Sequence, residues 1–166
     1  MAMPKHEVPP EWKEGGLSYS SGLTFAAAKK MIDAAEAEAK KQGLAMAIAI
    51  VDAGGNLVAF GRMDNTMLAS IQIAMDKAFT AAYGKLPTQV WRSIVQSGNI
   101  PPLFFHERWT AFPGGLPITK GKQLLGGIGA SGATAYGDTS VARAGLLAGG
   151  FRTEDADAIL KELNEG

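Results

Sequence analysis

The chain reads as an α+β protein built on an antiparallel sheet. Two observations predict this. Apolar strands come in two hairpins, one closing on Gly54-Gly55-Asn56 and one passing through Lys120-Gly121-Lys122. Helical periodicity surrounds and separates them, giving the order helix, hairpin, two helices, hairpin, helix, with no strand–helix–strand alternation of a parallel sheet. With 166 residues, 46% of them hydrophobic and 19% charged, the chain can bury about 70% of its unfolded surface.

Residues 1–21 read as an arm. Pro4, Pro9, Pro10 and glycines oppose a helix, yet Trp12, Leu17 and Tyr19 need cover, either on a neighbouring subunit or as a frayed terminus. Residues 22–166 read as one domain. Over 23–42, Phe25, Ala28, Ile32, Ala35 and Ala39 recur at helical steps, and Gly43 closes the helix. Strands follow at 45–51 and 57–62. Asp52 suits the hairpin turn. Asn65 or Thr66 caps a helix to about residue 83, and Pro87-Thr88 starts a third that ends near 97–99. A looser aromatic stretch, 100–113, precedes Gly114-Gly115-Leu116-Pro117-Ile118 and a strand at 123–130. Gly137-Asp138 opens a helix rich in small residues, with Asp138 as its N-cap. Thr153 caps the last helix, whose first turn holds Glu154, Asp155 and Asp157.

Composition narrows the function. Sixteen basic and sixteen acidic side chains cancel, so a nucleic-acid or acidic-membrane surface is not expected. The absence of Cys removes disulfides, thiolate metal sites and Cys nucleophiles. The N-terminus has no apolar signal core, and no apolar run nears membrane-spanning length, so the cytoplasm is the expected location.

Charged groups gather near one sheet edge. In the helix from residue 67 to 83, Ile71, Met75, Ala78, Phe79 and Ala82 form a broad apolar arc expected to be core. Ser70, Ala74, Lys77 and Ala81 form a stripe beside it. A lysine among small residues can be partly desolvated, which lowers its pKa and suits it to proton transfer or Schiff-base work. The alternative is a surface lysine snorkelling to Asp76 or Asp64. Arg62 and Asp64, two apart at a strand end, share a face if the strand runs that far. They either pair with each other or form a clamp in which Arg62 grips a carboxylate.

The run Gly127-Ile128-Gly129-Ala130-Ser131-Gly132 matches the dinucleotide fingerprint in letters only, because it lies on a late antiparallel strand. Glycines there allow close approach of a ligand or helix, and the Ser131-Gly132 amides suit an anion. His6 and His106 do not make a zinc site, though either suffices as an axial haem ligand. Phe105 and Trp109, among the aromatics flanking His106, suit either a lid for a flat ligand or a subunit interface.

Taken as an ordered set, several motifs carry a family likeness. They are Val51-Asp52-Ala53-Gly54-Gly55, Arg62-Met63-Asp64, Ser70, Ile73-Ala74, Lys77-Ala78, Thr80-Ala81, Gly114 to Ile118, Gly126 to Gly132, and Asp138. Over residues 23–149 the chain resembles the GlcG/HbpS-like family, related to the C-terminal domain of PduO. The resemblance implies a profilin-like fold, a five-stranded antiparallel sheet flanked by helices in α/β/α layers, assembled as a homo-oligomer. Its better-known members bind haem or are linked to corrinoid metabolism. The arm and the 100–112 stretch look longer than the family's usual form.

Two functions follow. The first is binding of haem or a related tetrapyrrole, with propionates at Arg62, Arg108 or lysines and His106 or His6 on the iron. The second is a cofactor-independent enzyme, an isomerase, tautomerase, lyase or hydrolase, acting on a carboxylate-bearing catabolite, aromatic-derived ones included. There Arg62, Ser70 and the amides of Gly114-Gly115 or Ser131-Gly132 would hold the anion while Lys77, assisted by Asp64, moves a proton.

Overall fold

A computed structural model describes residues 9, 13–14, 22–98, 100–151 and 154–165. The aromatic residues of the expected arm, with His6 and the expected cap Thr153, lie outside them. The described elements are α1 (Phe25–Lys41), β1 (Ala47–Asp52), β2 (Leu57–Arg62), α2 (Ala69–Gly84), α3 (Thr88–Gln96), β3 (Gly115–Lys120), β4 (Gln123–Ser131), α4 (Ala135–Ala148) and α5 (Glu154–Glu165).

The class is α+β, but the expectation of five strands is corrected. The described residues form one four-stranded antiparallel sheet in the order β2-β1-β4-β3. The long connection between α3 and β3 adds no strand. Pro101 and Pro102 supply no N–H to a ladder, and Pro102–Phe105 forms a short 3₁₀ turn instead.

Local chemistry sets the element ends. Thr24 caps α1, its hydroxyl accepting from the Ala27 amide at 3.1 Å. Gly43, at φ 70°, ends that helix and lets the Leu44 amide reach the Ala39 carbonyl at 2.9 Å. Asp52 holds the first hairpin turn as expected, with Oδ1 accepting from the Gly54 amide at 2.8 Å and the Asn56 amide at 3.0 Å. The expected cap of α2 is absent. The Thr66 hydroxyl instead donates to the carbonyls of Met63 and Met46.

Strand alternation divides the core. Ile48, Ile50, Leu116, Ile118, Ile128 and Ala130 face α1, α4 and α5. Ala47, Ala49 and Val51 face α2 through Ala74, Ala78 and Ala82. On that second face β4 carries no side chains at Gly127 and Gly129. A Cβ there would stand 2.2 Å from the Ala78 carbonyl oxygen and 2.1 Å from that of Ala74. The helix backbone therefore lies directly on bare strand. The buried surface of α2 is therefore wider than expected and shifted: Ala78, Phe79 and Ala82 of the expected arc are buried, and so are Ser70, Ala74, Lys77 and Ala81, whereas Ile71 and Met75 are only half-buried. Apolarity favours large residues, but a glycine-lined sheet selects small ones.

Gly129→Ala therefore pushes the helix off the sheet and should cost about 1–3 kcal/mol. Gly61→Ala, whose added Cβ meets only the Ile32 Cγ2 methyl at 3.0 Å, should cost less. Urea unfolding midpoints check the order; equal midpoints would contradict the close-packed interface.

Candidate functional site

The same close packing carries Lys77 into the interior. Its carbonyl lies 2.4 Å from where a Cβ of Gly115 would be, and the whole residue is 1% exposed. The ammonium donates to Asp138 Oδ2 at 2.5 Å and to the Ala130 carbonyl at 2.8 Å. Gly114, at φ +114°, backs this pair. A Cβ on it would meet Asp138 Cβ at 2.7 Å and Lys77 Nζ at 3.1 Å, so the ion pair occupies space that any side chain there would take.

Asp138 is held from the other side. Thr134, not Asp138, caps α4, its hydroxyl accepting from the Gly137 amide at 3.2 Å, so the helix begins earlier than the sequence suggested. Asp138 falls in the first turn, where the helix dipole favours a carboxylate. Its Oδ1 accepts from the Ala133 amide at 2.8 Å. Burial pulls the Lys77 pKa down, opposed by the charge and hydrogen bond of Asp138. Burial likewise pushes Asp138 up, opposed by Lys77 and then by the Ala133 and Gly132 amides. The proton affinities of the two groups are thus drawn towards each other.

The pair forms part of the wall of a cleft of about 580 Å³, within the size range of small-molecule sites. Met67 and Ile73 line it from α2 and the turn before it. Ser131, Gly132, Thr134 and Tyr136 line it from the β4–α4 junction, Arg92 from α3, and Phe112 and Pro113 from the loop before β3. A second cleft, of about 520 Å³, lies between α3 and the aromatic stretch and shares Arg92 and Phe112 with the first.

The expected convergence of Lys77, Ser70, Arg62 and Asp64 does not form. Arg62 and Asp64 line a separate hollow at the β2–α2 connection, and the partner of Lys77 is Asp138. Strand β2 ends at Arg62, so the alternation that would align Asp64 with it stops short. Ser70 is fully buried in α2, and its hydroxyl has no partner among the described residues. The Gly115 amide is taken by the Thr88 hydroxyl at 2.9 Å, and the Gly114 carbonyl accepts from the Ala130 amide. Gly114 makes room for the pair, and the Gly115 amide, already bonded, is not free for an anion. Ser131 and Gly132 do line the first cleft.

Of the aromatic stretch, Trp109 lines the second cleft and packs edge-on to Trp91 at 5.2 Å. Phe105 is 87% exposed. His106 is exposed and stacks on Phe79 at 5.4 Å, with Nδ1 accepting from the Arg108 amide at 3.2 Å; it lines neither cleft. Arg108 is engaged over the Phe79 ring at 4.1 Å and with Asp76 at 3.9 Å. No group of three or more His, Asp or Glu among the described residues is placed to hold a metal ion.

Sequence reasoning missed Arg92 and Tyr136, and gave Asp138 the wrong task. A signal for Asp138 was present. Thr134 is a good cap four residues earlier, which leaves Asp138 inside the helix and in need of another partner.

Asp138→Ala leaves the Lys77 ammonium buried without its carboxylate, which should cost about 3–5 kcal/mol. The double variant Lys77→Met/Asp138→Leu should recover much of that loss. Urea denaturation of the single and double variants checks it; strictly additive losses would show that the two groups are not coupled.

The chain is similar in sequence and fold to known proteins. The family model described as "Haem degrading protein HbpS-like" matches residues 23–147. An uncharacterized 15.0 kDa protein from the dhaT-dhaS intergenic region of Citrobacter freundii is 35% identical over 127 residues, covering 75% of this chain and 89% of that one. The crystal structure of a PduOC–heme complex superposes with a TM-score of 0.72 at 29% identity, covering 76% of this chain and 94% of the other. A double mutant of Streptomyces reticuli HbpS matches with a TM-score of 0.72 at 32% identity, covering 89% and 97%.

Proposed function

The chain belongs to the HbpS-like family, and on that premise we propose that it binds haem, or a related tetrapyrrole, in the cleft beside the Lys77–Asp138 pair. The observation that carries the proposal is the cleft itself. Its volume is about 580 Å³, with Met67, Ile73 and Phe112 offering apolar contact to a flat ring. Its donor set fits the group: Tyr136 and Met67 are of side-chain types that ligate haem iron. A structural relative is described as a complex with heme. Bound haem would supply a redox-active iron. The chain's own part is to exclude water with Phe112 and Pro113, to seat the ring against Ile73, and to hold a proton between Lys77 and Asp138. His106 has no part in this reading, because it stacks on Phe79 and lines neither cleft.

The buried pair supports a second reading, a cofactor-independent proton transfer on a carboxylate-bearing catabolite. In that case Lys77 and Asp138, not Lys77 and Asp64, exchange the proton, since a buried acid–base pair with shifted proton affinities is what such a step needs.

Titration of the protein with haemin separates the two. Haem binding predicts a stoichiometric shift of the Soret band, weakened roughly tenfold or more by the cleft-filling variant Ile73→Trp, a loss of about 1.4 kcal/mol, and unaffected by His106→Ala. An unchanged Soret band would remove the haem reading. The second reading then predicts deuterium uptake from D₂O into added 2-oxo acids, lost in Lys77→Met; no uptake in the parent protein would remove it as well.

A further inference from the structure

Arg92 is an arginine for which the ion-pair network does not account. It is half-buried and lines both clefts at their junction. Arg108 is matched by Asp76 and Arg143 by Asp157, whereas Arg92 has no hydrogen-bond or ion-pair partner among the described residues. A guanidinium partly withdrawn from water and left unpaired is costly, and a ligand anion would offset that cost.

The helix that carries it is fixed in place. Thr88, at its start, bonds the Gly115 amide at 2.9 Å. Trp91, adjacent to Arg92, is 8% exposed and lies so close to Gly84 that a Cβ there would stand 2.7 Å from the indole nitrogen. Arg92 is therefore carried on a short, anchored helix at the junction of the two clefts. The first cleft has the Lys77–Asp138 pair in its wall. The second is lined by Trp109, Phe104, Val95 and Ile100, with no acidic side chain.

We propose that the two clefts form one binding trough and that Arg92 is the carboxylate clamp between them. The ligand class is then a flat, apolar molecule carrying a carboxylate part-way along its length. One end lies beside the Lys77–Asp138 pair and the other against Trp109. This rests on the reading that the cleft is the ligand site, and does not require that the ligand be a tetrapyrrole.

The test uses 1-pyrenebutyrate and its methyl ester, which differ only at the carboxylate, followed by pyrene fluorescence. The parent protein should bind the acid roughly tenfold more tightly than the ester, the size of a charge-assisted hydrogen bond. Arg92→Leu and, as a second variant, Arg92→Gln should erase that preference while keeping the ester's affinity and the unfolding midpoint. Arg62→Leu, in the separate hollow, should leave it intact. Equal binding of acid and ester by the parent protein, no binding of either, or a preference that survives both Arg92 variants would overturn the proposal. Haemin titration of the same preparation fails or succeeds independently. Loss of the Soret shift with a retained acid preference rejects the tetrapyrrole and keeps the clamp, and the reverse rejects the clamp alone.

Discussion

Removing an ammonium group from water costs several kcal/mol even after the protein relaxes around it, and much of the cleft corner answers that cost at Lys77. Bare glycines on β3 and β4 let α2 sit close enough for the lysine to point inward. Gly114 leaves the space in which it meets Asp138. Thr134 starts α4 at the position that puts Asp138 in its first turn, and the Ala133 amide fixes the carboxylate's second oxygen. Each feature makes sense only with the others. A side chain at Gly129, a later helix start or a neutral residue at 138 would leave a buried charge unanswered.

The sheet edge and the loops gain their arrangement from this corner. Seating α2 on bare strand brings its small residues inward and leaves Ile71 and Met75 only half covered. The β4–α4 junction then turns beside Lys77, and Ser131, Gly132 and Tyr136 come to line the cleft. Its other walls come from α3 and from the loop around Phe112, held by Thr88 and Trp91. The cleft is thus a consequence of close helix–sheet packing, with an ion pair where a hydrophobic plug would otherwise stand.

Much of this was legible in the sequence. The hairpins, the α+β class and the family likeness follow from turn glycines and ordered motifs. Lys77 stood out because alanines flank it, and Asp52 because it precedes a glycine turn. What was not legible came from long-range contacts. Apolar periodicity finds Ala78, Phe79 and Ala82 of α2 but misses the small-residue stripe of Ser70, Ala74, Lys77 and Ala81, since the partner surface, made of glycines, lies some fifty residues away in sequence. Asp64 lies near Lys77 in sequence, but the partner is Asp138, near in space and 61 residues on. A fifth strand is implied only by the resemblance; the described residues form four, and the proline-bearing Pro102–Phe105 folds as a turn. Arg92 gave no local signal, because its significance lies in the absence of a partner.

A crystal structure of the haemin-loaded protein, with the iron located by its anomalous scattering, tests the haem site most directly. The iron is expected in the cleft between α2 and the β4–α4 junction, with the Lys77–Asp138 pair intact beside it. An iron bound at His106, or at the Arg62–Asp64 hollow with the cleft empty of haem, would contradict it.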